Sequence, residues 1–551
     1  MSSLRPHDLA PSNPTGCQPW RLCYWSIVTL LFAWATWQRF ALPLDPIVDP
    51  DTWGYLSPAL RKLTGAEFGH TYGRNFIYPG FVFVLLRAFG DFRAITIAQH
   101  FLGLVAGGIL LLTWRRARAL VSDSRVHLAV HDGLGLLAAT IFLLAGESIR
   151  FETQLRPEGV CAFLISVNLY VMIQFTACFF VERRRTASVM YGTAAVFSSI
   201  LLASAKPSFW LASIVVLLPV AMFFFRHGLV WQKIALGGGA AASAALLLLP
   251  EYFLSRNDEE SRTFLPASLF VIHAGLIRDQ MADDLRRNAN VRYPREWLER
   301  VHGALGAEIE KSRAAWPGHF ATLGFDPDYL KYNETSIVAQ LRREFGENVP
   351  ALCGFYWFYY GQIWRHRPLL VLKKIGRQMA IFYAPICPVY NRGKSLSLDA
   401  SNRGTTSLDI QRYHKVFAAN PPAMDFIARA KSSAQSVPVV YQPRYIRWIL
   451  SLMARTHLPL LLIALALVTV VLAHEKLRRQ LGWLAALVLL GYLYNAAACL
   501  EVAVVHTLEI RRYLTVQMYL TLLVQFLAVW FILEFALGMR ARQKRSTAKL
   551  L

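Results

Sequence analysis

The chain has 551 residues, 55% of them hydrophobic and only 17% charged, with a formal net charge of +23. Soluble globular proteins have about a quarter of their residues charged, so this composition, with a mean hydropathy of +0.35, excludes that class. Lys and Arg sit between apolar runs rather than along one basic stretch, which argues against nucleic acid as a partner and for topology signals and headgroup contacts.

In chain order, residues 1–20 contain Pro6, Pro11, Pro14 and Pro19 and read as a disordered cytoplasmic N-terminus. The apolar run after them has no A-x-A-like cleavage site and reads as a retained anchor. Runs of spanning length occur at about 22–42, 94–114, 128–146, 159–181, 187–205, 208–225, 230–250, 457–473, 482–505 and 513–537. They divide the chain into a membrane module (21–250) with a first outer loop (43–93), a long outer region (251–456), C-terminal spans (457–537) and a basic cytoplasmic tail (538–551). The runs "RRAR" (115–118), "ERRR" (182–185), "FRHGLVWQK" (225–233), "EKLRRQ" (475–480) and "RARQKR" (540–545) follow alternate spans. All five fall on the cytoplasmic side if both termini do. The expected fold class is therefore an all-α polytopic membrane protein of about ten transmembrane helices, with interfacial helices and a long, mainly helical region on the outer face.

The first outer loop opens with "VDPDTWGYLSPAL" (48–60), placing Asp49, Asp51 and Tyr55 just past the first span. Ser57-Pro58 reads as an N-cap and first helical position, and Gly65 as the stop of the helix "PALRKLT". "FIYPGFVFVLLRAFG" (76–90) is too short to span and reads as interfacial. On the same outer side, "RFETQLRPEG" (150–159) supplies Glu152, Arg156 and Glu158, and "ASAKPSFW" (203–210) supplies Lys206. In the long region, "FDPDY" (325–329) reads as a chance recurrence of D-x-D, and Cys353 and Cys387 are a candidate pair if that region meets an oxidising compartment. The segment 367–385 alternates basic and apolar residues as an interfacial helix. Finally, "EVAVVHTLEIRRYLTV" (501–516) gathers His506, Glu509, Arg511, Arg512 and Tyr513 at an outer boundary. Adjacent arginines there oppose the cytoplasmic bias, and Arg is well shaped to fork a phosphate. No Walker loop, H-E-x-x-H, zinc-spaced Cys/His set or G-x-S-x-G occurs.

Taken in order, Asp51 with Tyr55, "SPALRKLTG", "RNFIYPGFVFVLLRAFG", "QLRPEG", "SAKPSFW", and Glu509 with Arg512-Tyr513 resemble the GT-C superfamily of integral-membrane glycosyltransferases. That group includes protein O-mannosyltransferases, the lipid A aminoarabinose transferase and rhizobial galacturonosyltransferase-like proteins. The likeness covers residues 20–230 and part of 480–520. It departs at Tyr78-Pro79-Gly80, where the aminoarabinose transferase has a Lys before two prolines. The region 251–456 matches no motif and is expected to set the acceptor.

The resemblance implies transfer of a sugar from a polyprenyl-phosphate donor to an acceptor hydroxyl of a lipid, glycan or protein, on the outer face of the inner (plasma) membrane, or of the endoplasmic reticulum in a eukaryote. A hydroxyl needs a base, expected to be Asp51 with Asp49 as alternate, and the leaving phosphate needs cations, expected to be Lys206, Arg511, Arg512 and Arg74. Tyr55, Tyr78, Glu158, His506, Glu509 and Tyr513 are the remaining expected substrate contacts. A divalent metal is left open. The rival class is a transporter or flippase, whose ionisable residues belong near mid-span.

Overall fold

The computed structural model describes residues 18–48, 51–68, 75–121, 123–256, 258–287, 292–315, 320–397, 416–433 and 439–550. Asp49, Arg74 and the expected disordered segment before residue 18 lie outside them.

The chain is an all-α polytopic membrane protein. Its first helices are α1 (Gln18–Phe40), α2 (Trp53–Leu63), α3 (Ile77–Phe89), α4 (Arg93–Ala117), α5 (Leu128–Leu144) and α6 (Gly146–Glu152). Then come α7 (Glu158–Thr176), α8 (Arg185–Ala205), α9 (Trp210–Val216), α10 (Leu218–Phe224) and α11 (Val230–Ser255). The long region forms α12 (Glu259–Ile272), α13 (Ala274–Arg286), α14 (Arg295–Ala315), α15 (Pro327–Tyr332), α16 (Ile337–Phe345), α17 (Val349–His366), α18 (Pro368–Phe382) and α19 (Pro421–Ser433). The chain closes with α20 (Arg444–Ala473), α21 (Glu475–Val505), α22 (Arg511–Thr515) and α23 (Met518–Leu550).

Seven helices among the described residues are long and apolar enough to cross a bilayer, and two bent pairs raise the number to nine. The tenth expected span is α1, whose 23 residues include Arg21, Gln38 and Arg39 and are less apolar, although Leu30, Trp34 and Trp37 are exposed along it. The two bends have local causes. Between α5 and α6, Ala145 takes an extended backbone and the axis turns by 52°. Between the segment Pro207–Val216 and α10 the turn is 43°, where Pro219 withholds a backbone donor. The span expected to start at 457 begins instead at Arg444, and Pro459 lies within it. The span expected at 513–537 is interrupted at Val516 and Gln517, which leaves Arg511–Thr515 as a separate short helix. α3 is the short apolar helix anticipated.

Three devices position the loops at one end of the bundle. The first is a buried charge cluster. Arg39, at the end of α1, donates Nε and Nη2 to the two carboxylate oxygens of Glu152 at 2.7 and 2.8 Å. Its Nη1 bonds the carbonyl of Leu143 at 2.9 Å. His100 Nδ1 lies 2.8 Å from the same carboxylate, and Gln99 donates to the carbonyls of Glu152 and Gln154. A bidentate, fully hydrogen-bonded pair is the form in which two charges tolerate burial. Gly103 makes room for it, since a Cβ there would overlap the Glu152 carboxylate.

The second device is a single parallel bridge between Ile47 and Gln154, in which Ile47 N bonds Thr153 O at 2.7 Å and Leu155 N bonds Ile47 O at 2.9 Å. It lays the start of the first loop along the segment 153–156. The third is a two-stranded antiparallel sheet, β1 (Ser395–Ser397) and β2 (Val439–Tyr441), with Leu396 opposite Val440. These two side chains pack with Ile47 and Ile149, and Gln442 Oε1 accepts from Gly146 N at 3.1 Å.

The long region folds over this end. α12 packs against α17, and α18 against α21. Val371, Ile375, Gln378 and Phe382 form the buried side of α18, while Leu369, Leu372, Lys373 and Arg377 are exposed, as an interfacial helix requires. Cys353 and Cys387 are both free, so the candidate disulfide is not formed. Cys387 is held in the core, where its N–H bonds Ala454 O at 2.8 Å.

Candidate functional site

The loops enclose a cavity of about 410 Å³. α2 starts a turn earlier than Ser57-Pro58 suggested, at Trp53, because Trp53, Leu56, Ala59 and Leu60 bury one face. Pro58 sits inside α2, and Gly65, at φ +83°, closes it. Asp51 thus stands in the turn just before α2, its carbonyl accepting from Gly54 N at 3.2 Å. Thr52 ties that turn to Leu155 O.

With the turn fixed beside "QLRPEG", Asp51 Oδ2 accepts from Arg156 Nη2 at 3.0 Å. Arg512 Nη1 reaches the same oxygen at 2.7 Å. Asp51, the expected base, is therefore paired with two arginines. Both guanidiniums share one carboxylate oxygen. Asp51 thus stands between two cations.

Lys206, between α8 and α9, donates to Glu158 Oε1 at 2.6 Å, and both side chains are almost fully buried. Burial works against the ammonium, but the adjacent Glu158 carboxylate outweighs it and holds Lys206 charged, above its ordinary value. The Tyr513 ring is shared: Lys206 Nζ lies 5.1 Å and Arg512 Cζ 5.2 Å from its centroid.

The segment 506–509 is pinned from outside the bundle. Lys374 Nζ donates to Ala503 O at 2.7 Å, meeting an end carbonyl of α21. Burial pushes the Lys374 amine down to about 7. Gln378 Oε1 accepts from Thr507 Oγ1 and Leu508 N at 3.0 and 2.7 Å. Glu509 takes the N–H and hydroxyl of Thr322 at 3.1 and 3.0 Å. Glu509 is therefore an anchor of the loop and does not line the cavity.

Of the other expected site residues, Tyr55, Glu158, Lys206, His506, Arg512 and Tyr513 line the cavity. Arg511 does not; it is exposed, because on the short α22 it points away from its neighbour Arg512. Tyr78 is buried, gives its hydroxyl to Gln99 Oε1 at 2.9 Å and makes an edge contact with Tyr55. Glu152 belongs to the Arg39 cluster.

Two charged lining residues were passed over in the sequence, Asp328 and Lys331. Both come from "FDPDYLK", where Asp326 caps α15 by accepting from Asp328 N at 2.9 Å. The available signal was Asp-Pro-Asp followed by a Lys three residues on, the geometry of one exposed helical turn. Lys331 Nζ donates to Ser268 Oγ at 2.7 Å and sits 3.4 Å from the centroid of Phe264. Trp210, Leu265, Val271, Ile272, Val502 and Val505 supply an apolar part of the wall. Among the described residues no group of three His, Cys, Asp or Glu converges as a metal site.

No protein-family model matches the chain, and no curated protein matches it. Among solved structures it is similar to ArnT from Cupriavidus metallidurans in the apo state, with 14% identity and a TM-score of 0.30 over 94% of this chain and 78% of that one. It is similar also to the same protein bound to undecaprenyl phosphate, with 13% identity and a TM-score of 0.30 over the same shares.

Proposed function

We propose that the chain is a membrane glycosyltransferase that moves a sugar from a polyprenyl-phosphate donor to an acceptor hydroxyl. One observation carries this reading: Arg156, Lys206 and Arg512 converge with an apolar wall in one cavity at a helix-bundle end. A phosphate attached to a hydrocarbon chain needs those two surfaces side by side. Arg512 and Lys206 would meet the charge that grows on the leaving phosphate, preorganised by Asp51, Glu158 and Tyr513. The order of motifs that resembles the GT-C superfamily supports the same chemistry. The positive-inside pattern supports a cavity on the non-cytoplasmic face of the inner (plasma) membrane, or of the endoplasmic reticulum in a eukaryote. Attack from the face opposite the phosphate inverts the anomeric carbon, by analogy with one-step displacement in inverting hydrolases.

The test is incubation of purified protein with labelled polyprenyl-phosphate sugars and membrane extract. Label in a new glycosidic product supports transfer. Counterflow of labelled lipid or solute in vesicles without new glycosidic bonds would replace it with the transporter reading.

A further inference from the structure

We infer that Asp328 is the general base that takes the proton of the acceptor hydroxyl, with His506 as its positioning residue; this rests on the glycosyl-transfer reading above.

Four carboxylates line the cavity: Asp51, Glu158, Asp328 and Glu501. Three are engaged by donors. Asp51 holds two guanidiniums, Glu158 holds the Lys206 ammonium at 2.6 Å, and Glu501 Oε2 accepts from Leu211 N at 2.8 Å. Asp328 instead faces an imidazole. Its Oδ1 lies 3.7 Å from His506 Nε2, and 42% of its side chain is accessible.

The imidazole's tautomer follows from its other nitrogen. Thr507 N donates to His506 Nδ1 at 2.9 Å, so Nδ1 is the acceptor and the ring proton sits on Nε2, the nitrogen that lies 3.7 Å from Asp328 Oδ1. Burial, then the charges of Arg512 and Lys331, hold His506 down to about 3, so the ring is neutral across the working range. The Tyr513 ring packs against it in a tilted arrangement, 5.0 Å between centroids. The ring therefore orients the carboxylate without neutralising it.

The backbone beneath Asp328 is rigid. Ser312 Oγ, on α14, accepts from Asp326 N at 2.7 Å and donates to Asp326 O at 3.1 Å. Asp326 spends an oxygen capping Asp328 N, which leaves the Asp328 side chain to the cavity. The charges around it are Asp326 and Lys331 from its own segment, Arg512 from α22 and Asp51 from the first loop. Burial, then Asp326 and Asp51, raise it to about 6 against the pull of Lys331 and Arg512. A base serves best with a pKa near the working pH.

The step balances. The acceptor oxygen forms a bond to the anomeric carbon as its proton passes to Asp328. The bond from that carbon to the phosphate oxygen breaks, its electron pair leaving on the polyprenyl phosphate between Arg156, Lys206 and Arg512. Asp328 then returns the proton to water.

The test compares wild type, Asp328→Asn, Asp328→Glu, His506→Gln and Asp51→Asn in two assays: turnover at saturating donor from pH 5 to 9, and binding of polyprenyl phosphate. Wild-type turnover is expected to rise with pH through an apparent pKa near 6. Asp328→Asn should lose about 100-fold in turnover and the pH-dependent limb, with polyprenyl-phosphate affinity unchanged. Asp328→Glu should regain part of the rate, and His506→Gln should shift the limb without abolishing it. Asp51→Asn should keep the limb. Retained turnover with an intact limb in Asp328→Asn, or loss of the limb in Asp51→Asn alone, overturns the inference. If wild type itself yields no labelled product, the glycosyl-transfer reading fails instead, so the two failures are told apart.

Discussion

Arg512 donates its Nη1 to Asp51 Oδ2 at 2.7 Å across a sequence separation of 461 residues. The contact joins the turn after the first helix to the short helix before the last, and it closes one side of the cavity. A hydrogen bond to a charged group contributes about 1.5–3 kcal/mol. Arg512→Ala should therefore weaken polyprenyl-phosphate binding about 10- to 100-fold, measured by titration in nanodiscs. Arg512→Lys should recover only part of it, since an ammonium does not fork. Equal affinity in the Ala variant would remove Arg512 from the donor site.

Asp51→Asn tests the organising role. The variant removes one negative charge from beside Arg156 and Arg512, so an anionic lipid should bind at least as tightly as in wild type. Turnover should fall about 10- to 100-fold, because the cations are no longer aimed. Weaker lipid binding with normal turnover would contradict both parts.

The Lys206–Glu158 pair is buried on both sides. Breaking a buried pair costs about 3–5 kcal/mol because one charge stays uncompensated. Lys206→Met should lower the Tm markedly, and Lys206→Met with Glu158→Gln should restore most of it while leaving transfer impaired. A double variant no more stable than the single one would show that the pair is not coupled.

Asp328 also makes a stability prediction. Its carboxyl is raised from the ordinary 3.8 to about 6, so the folded chain holds this proton more tightly than the unfolded chain. The resulting contribution is fully present below pH about 4 and is lost as pH rises through about 6. Asp328→Asn should match wild-type Tm near pH 4 and exceed it at pH 8. A difference that does not change with pH would mean that burial does not bear on this carboxyl.

Gly103 tests the scaffold. A methyl group there collides with the Glu152 carboxylate, which cannot withdraw without leaving Arg39 unpaired. Gly103→Ala should cost a few kcal/mol, about 3–5 if the ion pair opens, and should weaken lipid binding at a site it does not touch. Thermal denaturation and lipid titration check the two effects; a stable variant with normal binding would separate the cluster from the loop it supports.

Much of the architecture was legible in local composition. Apolar runs of spanning length mark the segments able to enter a bilayer, because each residue's transfer cost depends mainly on its own side chain. Position at a span boundary also singled out Asp51, Lys206 and Arg512 before any contact was known. What local pattern could not supply was company. Glu509 looked like Asp51 in the sequence, yet one bonds Thr322 and the other two guanidiniums. Asp328 looked like an idle repeat of a common tripeptide, and it faces the same cavity. Arg511 and Arg512 are neighbours, and only the second turns inward.

The sequence by itself determined a multi-helix membrane chain with charged residues gathered at junctions. Tertiary structure alone decided that Asp51 is paired, that Asp328 faces the His506 imidazole, and that the two share one cavity. The physical reason is range: transfer into lipid is a property of single residues, whereas a carboxylate's state is set by charges a few ångströms away, and helix packing brings those from anywhere in the chain.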